Sequence, residues 1–178
     1  DAFFVVTKPP DAKKRALDYI DLALARVEEM DAIFPHSADL ATFFIQSYDL
    51  LAENVGRPEL KQRYTLELLK WAQEGVRRSP WQSLFHEWLA KAYWLRGNIE
   101  AATARKPFYE KGIEEYEAAT ECYPISTTSW RKYGDALVHF GDALKNSSGD
   151  TKDEADIAKG HEMIKKAEDL EKAIAALR

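Results

Sequence analysis

The 178-residue chain is 46% hydrophobic, 12% aromatic and 31% charged, a composition that excludes disordered, collagen-like and coiled-coil proteins. Its net charge of -5 argues against a nucleic-acid domain, because binding phosphate requires clustered Lys and Arg, and the basic runs at 13–15 and 77–78 are short. The single cysteine, Cys122, cannot form an internal disulfide, and no apolar run is long enough to predict a membrane span.

Residues 1–10 read as a tether. The apolar stub Phe3 to Val6 is too short for a signal sequence, and Lys8, Pro9 and Pro10 lead into a single domain expected over 11–178. A start at Asp1 without Met is expected of a processed protein or of a piece of a longer one. Over 11–34, Ala16, Leu17, Ile20, Leu24 and Val27 recur at three and four residues, which predicts an amphipathic helix ended by Pro35. Ser37 is the expected N-cap of a second helix carrying Leu40, Phe43, Phe44, Tyr48 and Leu51, which stops near 54–58. A third helix is expected over 59–78. After Pro80 a fourth carries Leu84, Phe85, Trp88, Leu89, Ala92 and Tyr93 up to Gly97, and a fifth occupies 108–122, with an extra turn at 100–104.

Beyond Pro124 and Ser126, a sixth helix carries Trp130, Tyr133, Leu137, Phe140 and Leu144. Residues 146–150, Asn-Ser-Ser-Gly-Asp, read as a loop, and Thr151 with Glu154 as a capping box for a last helix over 152–177. That helix turns Ile157, Ile164, Ala167, Leu170 and Ile174 inward, and its Lys and Glu residues form a solvated outer face. No strand-period segment is present, so the fold class is all-α with about seven helices.

Pro35, Pro80 and Pro124 lie 45 and 44 residues apart, and similar residues follow each at fixed offsets: Ile45, Ala90 and Gly134 at ten, Ala52, Gly97 and Gly141 at seventeen. Such a period marks stacked copies of one supersecondary unit, with units at about 11–35, 36–80, 81–124 and 125–178. Tyr109, Gly112, Tyr116 and Ala119 before Pro124 resemble the second helix of a tetratricopeptide repeat. Trp130, Tyr133, Gly134, Leu137 and Gly141 resemble the first helix of the next, as do Leu89, Ala90, Tyr93 and Gly97. The resemblance implies antiparallel helical hairpins stacked as a right-handed superhelix. The family period is about 34 residues, so extra residues are expected around 53–62, 98–107 and 145–154, at one edge of the stack.

No catalytic constellation emerges. His86 and Glu87 begin a zincin-like motif, but Ala90 stands where its second histidine would be. Asp135 and His139, four apart on one helical face, read as an exposed intrahelical pair, and Cys122 as a packed structural thiol. Glu114, Glu115 and Glu117 read as a solvated helix face, and Gly149 alone makes no phosphate loop. The chain is expected to be no enzyme, with no cofactor and no metal.

The resemblance implies a concave groove, lined by the first helix of each hairpin, that receives a peptide or partner protein. By position this gives Thr42, Gln46 and Asp49; Glu87, Lys91 and Trp94; and Arg131, Asp135 and His139. Glu87 and Asp135 stand where a carboxylate clamp needs donors, so that subtype is not expected. Among Trp81, Trp88 and Trp94, the sharper expectation makes Trp94 an exposed anchor, and the plainer one packs Trp88 between helices with Trp81 over the edge. The expected function is a non-enzymatic protein-interaction scaffold, with self-association through the N-terminal helix, no nucleic acid and no membrane insertion. One alternative is the soluble, extramembrane or periplasmic accessory domain of a bacterial O-antigen ligase or polymerase-like glycan assembly protein. The other is a small enzyme with a pocket between helices.

Overall fold

A computed structural model describes residues 12–101, 104–148 and 152–177. Among them are seven helices and no strand: α1 (Ala12–Ile33), α2 (Ala38–Asn54), α3 (Pro58–Arg78), α4 (Ser83–Ile99), α5 (Lys106–Cys122), α6 (Thr127–Ser148) and α7 (Lys152–Ala176). Each helix packs on the next in chain order, most extensively within the pairs α2/α3, α4/α5 and α6/α7, while α1 touches α2 over a smaller area.

The three prolines sit in one recurring turn. Phe34–Ser37, Ser79–Gln82 and Tyr123–Ser126 each close when the fourth amide donates to the first carbonyl, at 3.1, 3.1 and 3.0 Å. Proline lacks an N–H and cannot continue the preceding helix, and it suits the second position of such a turn. The first residue of each turn still donates back into its helix, Phe34 to Met30, Ser79 to Gly75 and Tyr123 to Ala119. Ser37 caps α2 as expected, its Oγ accepting from Leu40 N at 3.3 Å, and Ser126 Oγ does the same for Ser129 N at 3.1 Å.

The densest core lies between α1 and α4. Phe44, Ile45, Leu51, Leu68 and Phe85 are fully buried there, with the Phe44 and Trp71 rings stacked at 3.8 Å. In the second half Tyr109, Ala119, Tyr133, Leu137 and Ala167 are buried. The helices of the later pairs cross at their smallest residues. A Cβ on Gly112 would stand 3.2 Å from the Ala90 carbonyl oxygen, and one on Gly134 2.7 Å from that of Gly160, so backbone meets backbone at both crossings.

Several expectations change. Residues 146–148 belong to α6 and not to a loop, because the helix carries on past its last apolar position. Residues 149–151, and with them the Thr151 capping box and the tether at 1–10, lie outside the described residues. Where extra residues were expected at 53–62 the chain is mostly helix: only Val55, Gly56 and Arg57 separate α2 from α3. Pro107 is inside α5, in its first turn, where a missing N–H leaves no helical bond unmade. The fourth and fifth helices are each longer than expected at their ends, and the extra turn before α5 is described only at Ala104, whose amide donates to Ala101 O at 2.8 Å.

Candidate functional site

The expected binding positions fall on α2, α4 and α6, the first helices of the three tight pairs, and long side chains bridge these helices. Lys91 on α4 reaches α2, with Nζ 2.7 Å from an Asp49 oxygen and 2.8 Å from Glu53 Oε1. Asp49 is buried, and burial raises its carboxyl above the ordinary value against the opposing pull of Lys91. Burial pulls the Lys91 ammonium down, but hydrogen bonds and charge from Asp49 and Glu53 outweigh it and hold the lysine protonated. Nζ also lies 5.2 Å from the Trp88 ring, within cation–π range.

Glu87, buried on α4, makes the matching bridge to α6. Ser129 Oγ donates to its Oε1 at 2.5 Å and Lys132 Nζ lies 2.6 Å from its Oε2. Between these bridges lies a cavity of about 340 Å³, lined by Leu84, Glu87, Trp88, Lys91, Tyr116 and Lys132. Tyr116 comes from α5. Burial first, then the negative charge of Glu87 and Asp135, pushes its phenol up to about 12, so at neutral pH it is a hydroxyl and no base. The cavity thus has apolar and aromatic side chains, Leu84, Trp88 and Tyr116, beside the ammonium and carboxylate groups of Lys91, Lys132 and Glu87.

The remaining expected residues are less concentrated. Thr42 donates from Oγ1 to Ala38 O at 3.0 Å within its own helix, and Gln46 faces a separate groove against α1. Asp135 and His139 are exposed on α6. Arg131 turns towards α7, where Nη2 meets the Glu171 carboxylate at 2.9 and 3.0 Å. Trp94 is not an exposed anchor. It is half-buried with its ring stacked on Tyr109 at 4.4 Å, because Gly97, one turn on, leaves room for that tyrosine: a Cβ there would stand 2.5 Å from the ring. The exposed tryptophan is Trp81, at 73%, in the turn after Pro80.

Lys132, Ser129, Glu53 and Tyr116 were absent from the expected set. The repeat itself contained a signal for two of them, since Asp49 and Lys91 are 42 residues apart, as are Glu87 and Ser129, while Glu87 and Lys132 are 45 apart. Of these, only Glu87 and Lys132 are opposite charges at the 45-residue spacing of Pro35 and Pro80.

His86 is a structural group. Nδ1 lies 2.7 Å from Glu115 Oε2 and Nε2 2.9 Å from Pro80 O. Both partners are acceptors, so both ring nitrogens donate and the imidazole is held as its cation, its pKa raised chiefly by Glu115. Cys122 Sγ lies 3.5 Å from the same Pro80 carbonyl, and burial, with Glu121 beside it, raises its thiol. No cluster of His, Cys, Asp and Glu suited to a metal ion occurs among the described residues, and no described helix is long and apolar enough to cross a membrane. No protein-family model matches the chain, and no curated protein is similar to it.

Proposed function

We propose that the protein is a non-enzymatic interaction scaffold of tetratricopeptide-like architecture that receives a peptide or a segment of a partner protein along the α2, α4 and α6 face. The observation that carries this reading is the cavity between α4, α5 and α6. Its lining by Leu84, Trp88 and Tyr116 suits one apolar side chain, and Lys91, Lys132 and Glu87 beside them, paired in the free protein, are charged groups that a bound backbone would have to join or displace. Asp49, Glu53, Asp135 and His139 extend the same polar surface, while Gln46 faces the groove against α1 and Trp94 and Arg131 support helix pairs next to it.

Peptides selected from a displayed library on the full chain test the reading, with affinities measured by calorimetry. Leu84→Arg, which fills the cavity with a charge, is expected to weaken a selected peptide by at least about tenfold while helicity and melting temperature hold. Lys132→Ala is expected to weaken it by a smaller factor. If no peptide is enriched, or if selected peptides bind Leu84→Arg as they bind the parent, the reading is wrong.

A further inference from the structure

The first helix carries two apolar stripes, and only one has a partner. Leu24, with Ile20 and Val27, packs on the core against α2. About a third of a turn away, Tyr19, Leu22, Met30 and Ile33 are exposed at 72%, 61%, 46% and 69%. Arg26 lies at the centre of this second stripe, and Glu29 beside it forms an ion pair with it at 3.3 Å, both side chains open to solvent. The stripe borders an apolar groove of about 310 Å³ between α1 and α2, to which Tyr19, Phe43 and Leu50 contribute. At the opposite end of the chain α7 shows the contrary surface, exposing Lys165, Lys166, Glu168, Asp169 and Glu171.

The spacing of the stripe is symmetric about Arg26. Leu22 and Met30 lie four residues to either side, Tyr19 and Ile33 seven. A second copy of the same helix laid antiparallel, with Arg26 on the two-fold axis, sets Leu22 against Met30 and Tyr19 against Ile33 in both halves of the contact. The same rotation brings each Arg26 within one turn of the other copy's Glu29, so the two central arginines are neutralised by two glutamates rather than opposed. A surface that complements itself under a two-fold rotation is what an isologous dimer requires.

We propose that this stripe is a homodimer interface, in which α1 of two copies pair antiparallel about Arg26, burying Tyr19, Leu22, Met30 and Ile33. The interface leaves the cavity between α4, α5 and α6 open in both copies. Because α1 makes only a small contact with its own α2, pairing also covers the weakest part of the fold.

Sedimentation of the full chain from about 1 µM to about 1 mM is expected to show a monomer–dimer equilibrium. Leu22→Glu, which alters an already exposed position, is expected to raise the dissociation constant at least about tenfold with the circular dichroism spectrum unchanged. Arg26→Glu is expected to weaken the dimer, and Arg26→Glu with Glu29→Arg to restore it. Register is read by mild oxidation: Arg26→Cys, on the axis, cross-links to its twin, whereas Tyr19→Cys, far from its twin, does not. A chain monomeric throughout the series overturns the proposal, as it would if another segment of the same chain covered the stripe. A dimer indifferent to Leu22→Glu, or one in which Tyr19→Cys cross-links as fast as Arg26→Cys, overturns it as well.

Discussion

Arg78 shows how one side chain can fasten a connection between hairpins. It donates from Nη1 to Ser37 O at 2.8 Å, lies 2.9 Å from Asp31 Oδ1, pairs with Glu74 at 2.7 Å and sits 5.5 Å from the Trp71 ring. The side chain is 3% exposed, so removing it strands Asp31 and a backbone carbonyl with little access to water. Arg78→Ala is expected to cost about 2–3 kcal/mol in urea unfolding, and Arg78→Lys most of that, because an ammonium cannot fork to three acceptors. The Glu74 carboxyl is held at about 2, first by its hydrogen bond to Arg77 and then by Arg78 against its burial, so Glu74 stays ionised well into acid. His86 works at the other end of the pH scale. Its folded pKa is raised above that of the unfolded chain, so its contribution is complete below the ordinary histidine value near 6.5 and is lost as pH rises through the folded pKa. Stability is therefore expected to fall on that alkaline side, and His86→Gln to remove this limb of the profile in pH-dependent melting.

At the scale of the helix pair, the glycines separate propensity from packing. Alanine favours an isolated helix over glycine by about 1 kcal/mol. At Gly134, however, an added Cβ stands 2.7 Å from Gly160 O and 2.6 Å from an Ile164 side-chain carbon, and backbone cannot step aside. Gly134→Ala is expected to destabilise by about 2–3 kcal/mol, while Gly56→Ala, with nothing within 4 Å of the new methyl, is expected to be neutral or mildly stabilising. Thermal unfolding of the two variants side by side checks the contrast. Gly134 was legible from its place ten residues after Pro124. Gly160, its partner on α7, lies outside every repeated offset and was not. The helix boundaries were legible for a similar local reason: Pro35, Pro80, Pro124, Ser37 and Ser126 act on the few amides next to them. Residues 146–148 were misread because a polar Asn-Ser-Ser run reads as a loop when its cost to a helix already fifteen or more residues long is only a few tenths of a kcal/mol per residue.

Over the whole molecule, side chains 42 to 45 residues apart join α2 to α4 and α4 to α6. Lys91 to Asp49 is well protected, since Asp49 is buried and Lys91 half-buried, whereas the Arg131 to Glu171 pair, within the α6/α7 hairpin, is open to water. Lys91→Met is expected to cost about 1–2 kcal/mol and to be partly rescued by Asp49→Leu, while Arg131→Met is expected to change stability by less than about 0.5 kcal/mol. A double-mutant cycle in denaturant checks both. The sequence alone determined the seven helices, their order and the proline turns, because each is set by neighbours within a few residues. The residues expected on α2, α4 and α6 came from the family resemblance, and of them the structure joins Asp49 to Lys91 and sets Lys91 and Glu87 on one cavity. Only the tertiary structure decided the azimuth of each helix in the stack. That azimuth put Trp94 on Tyr109 and left Trp81 in solvent, closed Lys132 on Glu87 to bound the cavity, and turned the second apolar stripe of α1 outward. Helical periodicity defines a face, but what meets that face depends on contacts more than forty residues distant in the chain.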